Sequence, residues 1–178
     1  MDKVYLEQRF GELPIVQYEF FETKDLVFSE KVRHICREEC PQYGKSWACP
    51  PAVGTVEECE ARCRSYPRAL LITSMTEVED ISNMELTLSK RVEHETLTRQ
   101  VHALFREQGV EPLVLSTESC AVCEQCSYPD GPCRRPDYMY PCVESQGILV
   151  TDLAERFGID FIAGGNIATW FSLFLYEE

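Results

Sequence analysis

Read from its start, the chain first alternates apolar and polar positions and then spaces its apolar residues as helices do. Residues 14–21 bring Ile15, Val16, Tyr18 and Phe20 close to alternation and predict a strand. Residues 24–35 predict a helix with Leu26, Val27, Val32 and Ile35 turned inward. Residues 36–54 carry Pro41, Gly44, Pro50, Pro51 and Gly54, and so predict loop. Thr55-Val56-Glu57-Glu58 is a capping-box pattern, in which cap hydroxyl and third-residue carboxylate each satisfy the other's backbone N–H. It starts a short helix ending near Tyr66-Pro67. Ala69-Leu70-Leu71-Ile72-Thr73 has the length and composition of a buried strand. Ser82-Asn83-Met84-Glu85 repeats the capping pattern and opens a long helix that Gly109 closes, with Met84, Leu88, Val92, Val101, Leu104 and Phe105 at roughly helical spacing.

Leu113-Val114-Leu115 is a second core strand, and residues 145–157 predict a helix with Leu149, Leu153 and Phe157 inward, ended by Gly158. Gly164-Gly165-Asn166 reads as a turn before a long, nearly all-apolar last strand over residues 167–176. The sum is an α+β fold: a mixed sheet of about four strands backed by helices. It is expected as a single domain over residues 1–178 with cysteine-rich loops at about 36–63 and 120–142.

Charge narrows the function. The 178 residues hold 30 Asp and Glu against 17 Lys and Arg, a net of −13. That balance repels phosphate backbones and no basic run offsets it, so no nucleic-acid partner is expected. No apolar stretch reaches the roughly 18–20 residues that span a bilayer, so no membrane role is expected either. The first residues are charged and lack the apolar core of a secretion signal, which predicts a cytoplasmic protein. Ten cysteines in a reducing compartment are read as free thiols for metal or catalysis before disulfides.

The cysteines form two blocks. The second runs Cys120-Ala-Val-Cys123-Glu-Gln-Cys126, then Cys133-Arg134-Arg135-Pro136 after a Pro/Gly turn. Three thiols at two-residue gaps can wrap one face of a cubane cluster, and a fourth after the turn can close the cage. Cys120, Cys123, Cys126 and Cys133 are therefore the expected ligands of a [4Fe–4S] cluster. Tetrahedral zinc is the rival, although zinc sites usually pair two knuckles across a longer gap. A loop of over twenty residues without its own core also calls for a ligand to organise it. Arg134 and Arg135 follow the last thiol, either to balance a negative centre or as solvated surface charges.

The first block holds Cys36, Cys40 and Cys49, an incomplete metal cage whose fourth member is open among His34, Cys59, Cys63 and Cys142. With only three thiolates such a site keeps a free coordination position. Lys45, Tyr43 and Trp47 are placed to rim it. Cys59 and Cys63 share one helix face and read first as core, second as ligands. His94 and His102 read as surface or core residues rather than ligands.

The pattern Cys36-x3-Cys40-x2-Tyr43-Gly44-x2-Trp47-x-Cys49-Pro50-Pro51, followed by Cys120-x2-Cys123-x2-Cys126-x6-Cys133-Arg134-x-Pro136 and Glu144-x2-Gly147-Ile148, resembles an uncharacterised family of predicted cysteine-rich metal-binding proteins. That family, a domain of unknown function, is common in anaerobic bacteria and archaea. The resemblance covers about residues 30–160 and implies metal binding, with iron–sulfur foremost; it implies no reaction. Its pattern often has serine where this chain has Cys142, which marks that thiol as an addition. Cys59 and Cys63 lie outside the matching part.

The expected function is a cytosolic iron–sulfur protein, with one cluster or two, moving electrons for a redox protein partner that its acidic surface docks. The alternatives are a zinc-binding structural or protein-interaction module, and a metalloenzyme or metal carrier with an open site at Cys36, Cys40 and Cys49.

Overall fold

The computed structural model describes residues 1–160 and 164–177, apart from the Met84 side chain. Its centre is a four-stranded sheet of β1 (Gln17–Glu22), β2 (Arg68–Glu77), β3 (Leu113–Leu115) and β4 (Ile167–Tyr176), in the order β1-β2-β4-β3. The expected four strands backed by helices are present. The pairings differ from a mixed sheet, since all three are antiparallel. β2 and β3 run in the same direction, but β4 lies between them and runs opposite to both, so no two neighbouring strands among the described residues are parallel. The parallel pairing among the described residues is an isolated bridge between Ser116 and Cys142.

Successive side chains of a strand point to opposite faces, and both faces here are covered. Leu71, Leu173 and Leu175 pack with Cys63, Leu153 and Ala154 on one side. Leu70, Ile72 and Phe174 pack with Leu97, Val101 and Phe105 on the other, where Phe105 stacks on Phe174 at 5.4 Å between centroids. Burial on both faces is why β4 reads as an unbroken apolar run instead of an alternating one.

The helices are α1 (Lys3–Phe10), α2 (Glu30–Glu39), α3 (Val56–Arg64), α4 (Met84–Ser89), α5 (Arg91–Glu107) and α6 (Val150–Phe157). α1 is not among the elements the apolar pattern predicts; it is capped by the Asp2 carboxylate and buries Leu6 and Phe10, one helical turn apart. The helix expected over 24–35 is displaced. A 3-10 turn spans Thr23–Asp25, and α2 starts only after the Ser29 hydroxyl accepts from Lys31 N–H. Leu26 stays buried, but Ile35 is 52% exposed, and Cys36 lies in the helix instead of in a loop. The capping box at Thr55 and Glu58 forms as expected and starts α3.

The long helix expected after residue 82 is two helices. Asn83, not Ser82, provides the cap of α4 by accepting from Leu86 N–H, and the chain restarts α5 after Lys90. Val92 is 53% exposed, while Val101, Leu104 and Phe105 are buried as expected; the reading of Met84 as inward lies outside the described residues. The helix expected over 145–157 begins at Val150, because Glu144–Gln146 form a 3-10 turn ended by Gly147 at φ +82°. A Cβ on Gly147 would stand 2.9 Å from Val56 Cγ1, so this close approach requires glycine.

His94 and His102 are both buried on α5. His94 sits between the Ser74 hydroxyl at 2.7 Å and the Ser172 hydroxyl at 2.9 Å. Burial lowers its pKa to about 4, so the ring is held neutral. No helix of the described residues is long and apolar enough to cross a membrane.

Candidate metal centre

The second cysteine loop leaves β3 at Ser116 and returns at Cys142. Its two ends are tied there: Ser116 N–H donates to Pro141 C=O at 2.8 Å and Val143 N–H donates to Ser116 C=O at 2.9 Å. The pinned loop is then stapled to α5 by Arg99, which donates to Tyr138 C=O at 2.8 Å and lies over the Tyr140 ring at 4.7 Å. Within it, Gly131 N–H donates to Ser127 C=O, and the Arg134 guanidinium donates to Gln125 C=O.

Cys120, Cys123, Cys126 and Cys133 all line one cavity of about 410 Å³. Each is half-buried, and each is a free thiol. Burial pushes the Cys120 thiol up to about 11, against the N–H of Val122, which favours the thiolate. The wall opposite comes from the first cysteine loop: Gln42, Gly44, Lys45, Ser46 and Trp47. Lys45 and Trp47, expected at the rim of a site at Cys36, Cys40 and Cys49, instead line the cavity of the second cysteine block, and Tyr43 is not among its lining residues.

The first block meets the second through Ser119, the residue before Cys120, whose hydroxyl interacts with Cys49. Cys36 is on α2, Cys40 is the residue after its last turn, and Cys49 is buried. Burial pushes Cys36 up to about 11, and the neighbouring Cys40 and Glu144 act in the same direction. Burial also raises Cys40, opposed by the N–H groups of Gln42 and Tyr43. Cys49 is lowered by a hydrogen bond from the Cys142 thiol, with the Ser119 and Ser46 hydroxyls adding to the effect. Cys142, donating to Cys49 and fully enclosed, is raised well above its usual range.

Of the four open fourth members, Cys142 is therefore the one the fold brings beside Cys49. His34 is solvent-facing and meets Arg37 at 3.2 Å. Cys59 donates to Val53 C=O and receives Arg62 at 3.3 Å. Cys63 packs in the core with Leu71 and Leu153, where burial pushes its thiol up to about 12.

Two carboxylates border the same place and were not singled out as functional by the sequence reading. Burial raises Glu144 to about 7, with Glu118 acting in the same direction, and burial likewise raises Glu118. Glu118 has φ +49°, a left-handed conformation that a non-glycine residue holds only when its surroundings enforce it. The signal available in the sequence was their spacing, each two residues from a cysteine, Glu118 before Cys120 and Glu144 after Cys142.

Two all-thiol groups are soft donors suited to iron–sulfur or zinc, which is the chemical fit of these residues to a metal. Among the described residues, no three His, Cys, Asp or Glu side chains stand in a spacing that holds a metal ion outright. A family model described as "Predicted metal-binding protein (DUF2284)" matches residues 19–176. No curated protein and no solved structure matches the chain.

Proposed function

The chain belongs to the DUF2284 family of predicted metal-binding proteins, and from that premise we propose that it is an iron–sulfur protein transferring electrons to a redox protein partner in the cytosol. The observation that carries this reading is the lining of one cavity by Cys120, Cys123, Cys126 and Cys133. Thiols spread through a Pro/Gly-rich loop have little core to bury in, and their shared cavity gives them a common destination. The loop closes on a [4Fe–4S] cluster, and the energy of metal binding draws the ligands into place.

A second centre is proposed at Cys36, Cys40 and Cys49, with Cys142 as its fourth thiol. Its support is the contact between Cys142 and Cys49 and the mutual influence of Cys36, Cys40 and Cys49. Ser119, which bonds Cys49, is covalently joined to Cys120. That adjacency suits electron transfer between centres. The role of the thiols is to ligate as thiolates, releasing protons that burial otherwise retains. When bound, the cluster supplies one-electron redox chemistry.

The test is anaerobic purification followed by iron and sulfide analysis, with visible and EPR spectra. About four irons with matching sulfide support one cluster, and about eight support two. One tightly held zinc without colour selects the structural zinc reading instead. A spectrum that shifts on adding cyanide identifies an open coordination position and favours the metalloenzyme or metal-carrier reading.

A further inference from the structure

The cavity between the two cysteine loops is lined by Lys45, Arg91, Arg134 and Arg135 as well as by thiols. Glu124 is the one carboxylate among its lining residues. In a chain with 30 acidic residues, cations have many partners to choose from. Arg9, Arg37, Arg64, Arg99, Arg106 and Arg156 all take one within 4.0 Å. Among the described residues, none of the four cavity cations has a carboxylate within that distance; Glu118 is near enough to feel Arg91 but lies beyond it.

Two of these cations are held in place. Arg91 donates to Leu88 C=O at 2.8 Å, while its Nε is buried and has no hydrogen-bond partner. Arg134 is anchored on Gln125 C=O. Positive charge without a carboxylate partner, gathered around a concave site, raises the potential there toward an anion. A four-thiolate zinc or oxidised iron–sulfur centre carries a net charge of about −2, so that with Glu124 it balances about three of the four cations and leaves one for a further anion. Trp47 and Tyr128 meet edge to face at 5.0 Å on the same wall, giving an apolar surface beside the charges. The thiols and the cations line the same cavity of about 410 Å³, so a small anion would sit beside a cluster held by the thiols and share that space with it.

We propose that this cavity binds a small organic oxyanion, a carboxylate or a phosphate ester, with its anionic group on Lys45, Arg91, Arg134 and Arg135 and its apolar body against Trp47 and Tyr128. The inference goes beyond the metal reading and stands on the cations and the aromatic wall, whatever the thiols hold. Guanidinium forks match both anion types, so the two sources are separated by experiment.

The full chain, purified without air and assayed for iron, is titrated at low salt by calorimetry with phenyl phosphate, benzoate, inorganic phosphate and neutral benzamide. The expected result is binding of phenyl phosphate or benzoate below about 10 mM, with benzamide not binding. The preferred probe identifies the anion class. Lys45→Gln and Arg135→Gln, both exposed side chains that leave the fold intact, weaken it about tenfold, as does Arg91→Gln, while Lys31→Gln on α2 has no effect. Absence of binding by every anion, or equal weakening by Lys31→Gln, overturns the proposal. Iron present without anion binding overturns this inference alone. Anion binding by a protein without iron or zinc overturns the metal reading and leaves this one standing.

Discussion

The indole N–H of Trp47 donates to the carbonyl of Gly131 at 3.0 Å, joining the two cysteine loops across 84 positions of sequence. The same ring meets Tyr128 edge to face. This contact fixes the distance between the two halves of the cavity, so it is the first place to perturb. Trp47→Phe keeps an aromatic ring but removes the N–H donor and part of the indole's volume, and is expected to cost at least about 1 kcal/mol in urea unfolding. Amide exchange across residues 120–135 should accelerate. Exchange unchanged in that stretch would show that the loops hold their positions independently.

The ten thiols divide into two populations, and metal content separates them. Cys123→Ser and Cys36→Ala are expected to lose bound metal. Cys63→Ala, made in the core beside Leu71 and Leu153, is expected to keep it while losing about 1 kcal/mol of stability. Cys59→Ala should behave like Cys63→Ala, since its thiol faces Val53 C=O and Arg62 rather than either thiol group. Metal lost from the Cys59 variant with its fold intact would return that residue to the ligand set.

His94 gives a pH dependence of defined sign. Its folded pKa of about 4 lies below the ordinary value of 6.5, so the unfolded chain binds the proton more readily. Stability therefore falls as pH drops from about 6.5 toward 4, by something on the order of 3 kcal/mol from this group, and the contribution levels off below that. The groups touching the ring, Ser74 and Ser172, are neutral. His94→Gln should flatten this part of the curve when urea unfolding is compared at pH 7 and pH 4.5. Equal slopes for the two proteins would contradict the assignment.

Gly147 secures the turn that carries Glu144 toward the first thiol group. Its carbonyl also accepts from Ser29 N–H at 2.8 Å, at the start of α2. Gly147→Ala adds a Cβ against Val56 at a φ that alanine rarely adopts, and is expected to cost about 2 kcal/mol. Gly44→Ala, at φ +71° with nothing within 4 Å, carries the backbone cost without the clash and should cost less. Thermal unfolding of the two variants provides the comparison.

Elements whose signals are local were legible in the sequence. The capping box of α3, the short strand Leu113–Leu115 and the apolar run of Ile167–Tyr176 all stand where residue pattern put them. The helix read at 24–35 shifted because apolar spacing says nothing about where a cap will form, and Ser29 decided that. The split between α4 and α5 was hidden for a similar reason, since Val92 fits the helical spacing yet faces solvent. At the site, the cysteines announced themselves by spacing, but their grouping did not. Cys142 reaches Cys49 only because Ser116 pairs with it across the base of a long loop, a contact between positions 26 apart that no local pattern encodes. The charged lining was legible in part, since Lys45, Arg134 and Arg135 stand beside cysteines in the chain, whereas Arg91 comes from a separate stretch with no cysteine near it.

β4 occupies an interior position in the sheet yet follows every other strand and helix in the chain. During synthesis β2 and β3 thus emerge with no neighbour between them, and their apolar edges stay uncovered until this final strand is translated. A nascent chain of this protein is expected to depend on chaperone protection up to that moment, and a stop codon before residue 167 should yield insoluble material rather than a smaller folded product.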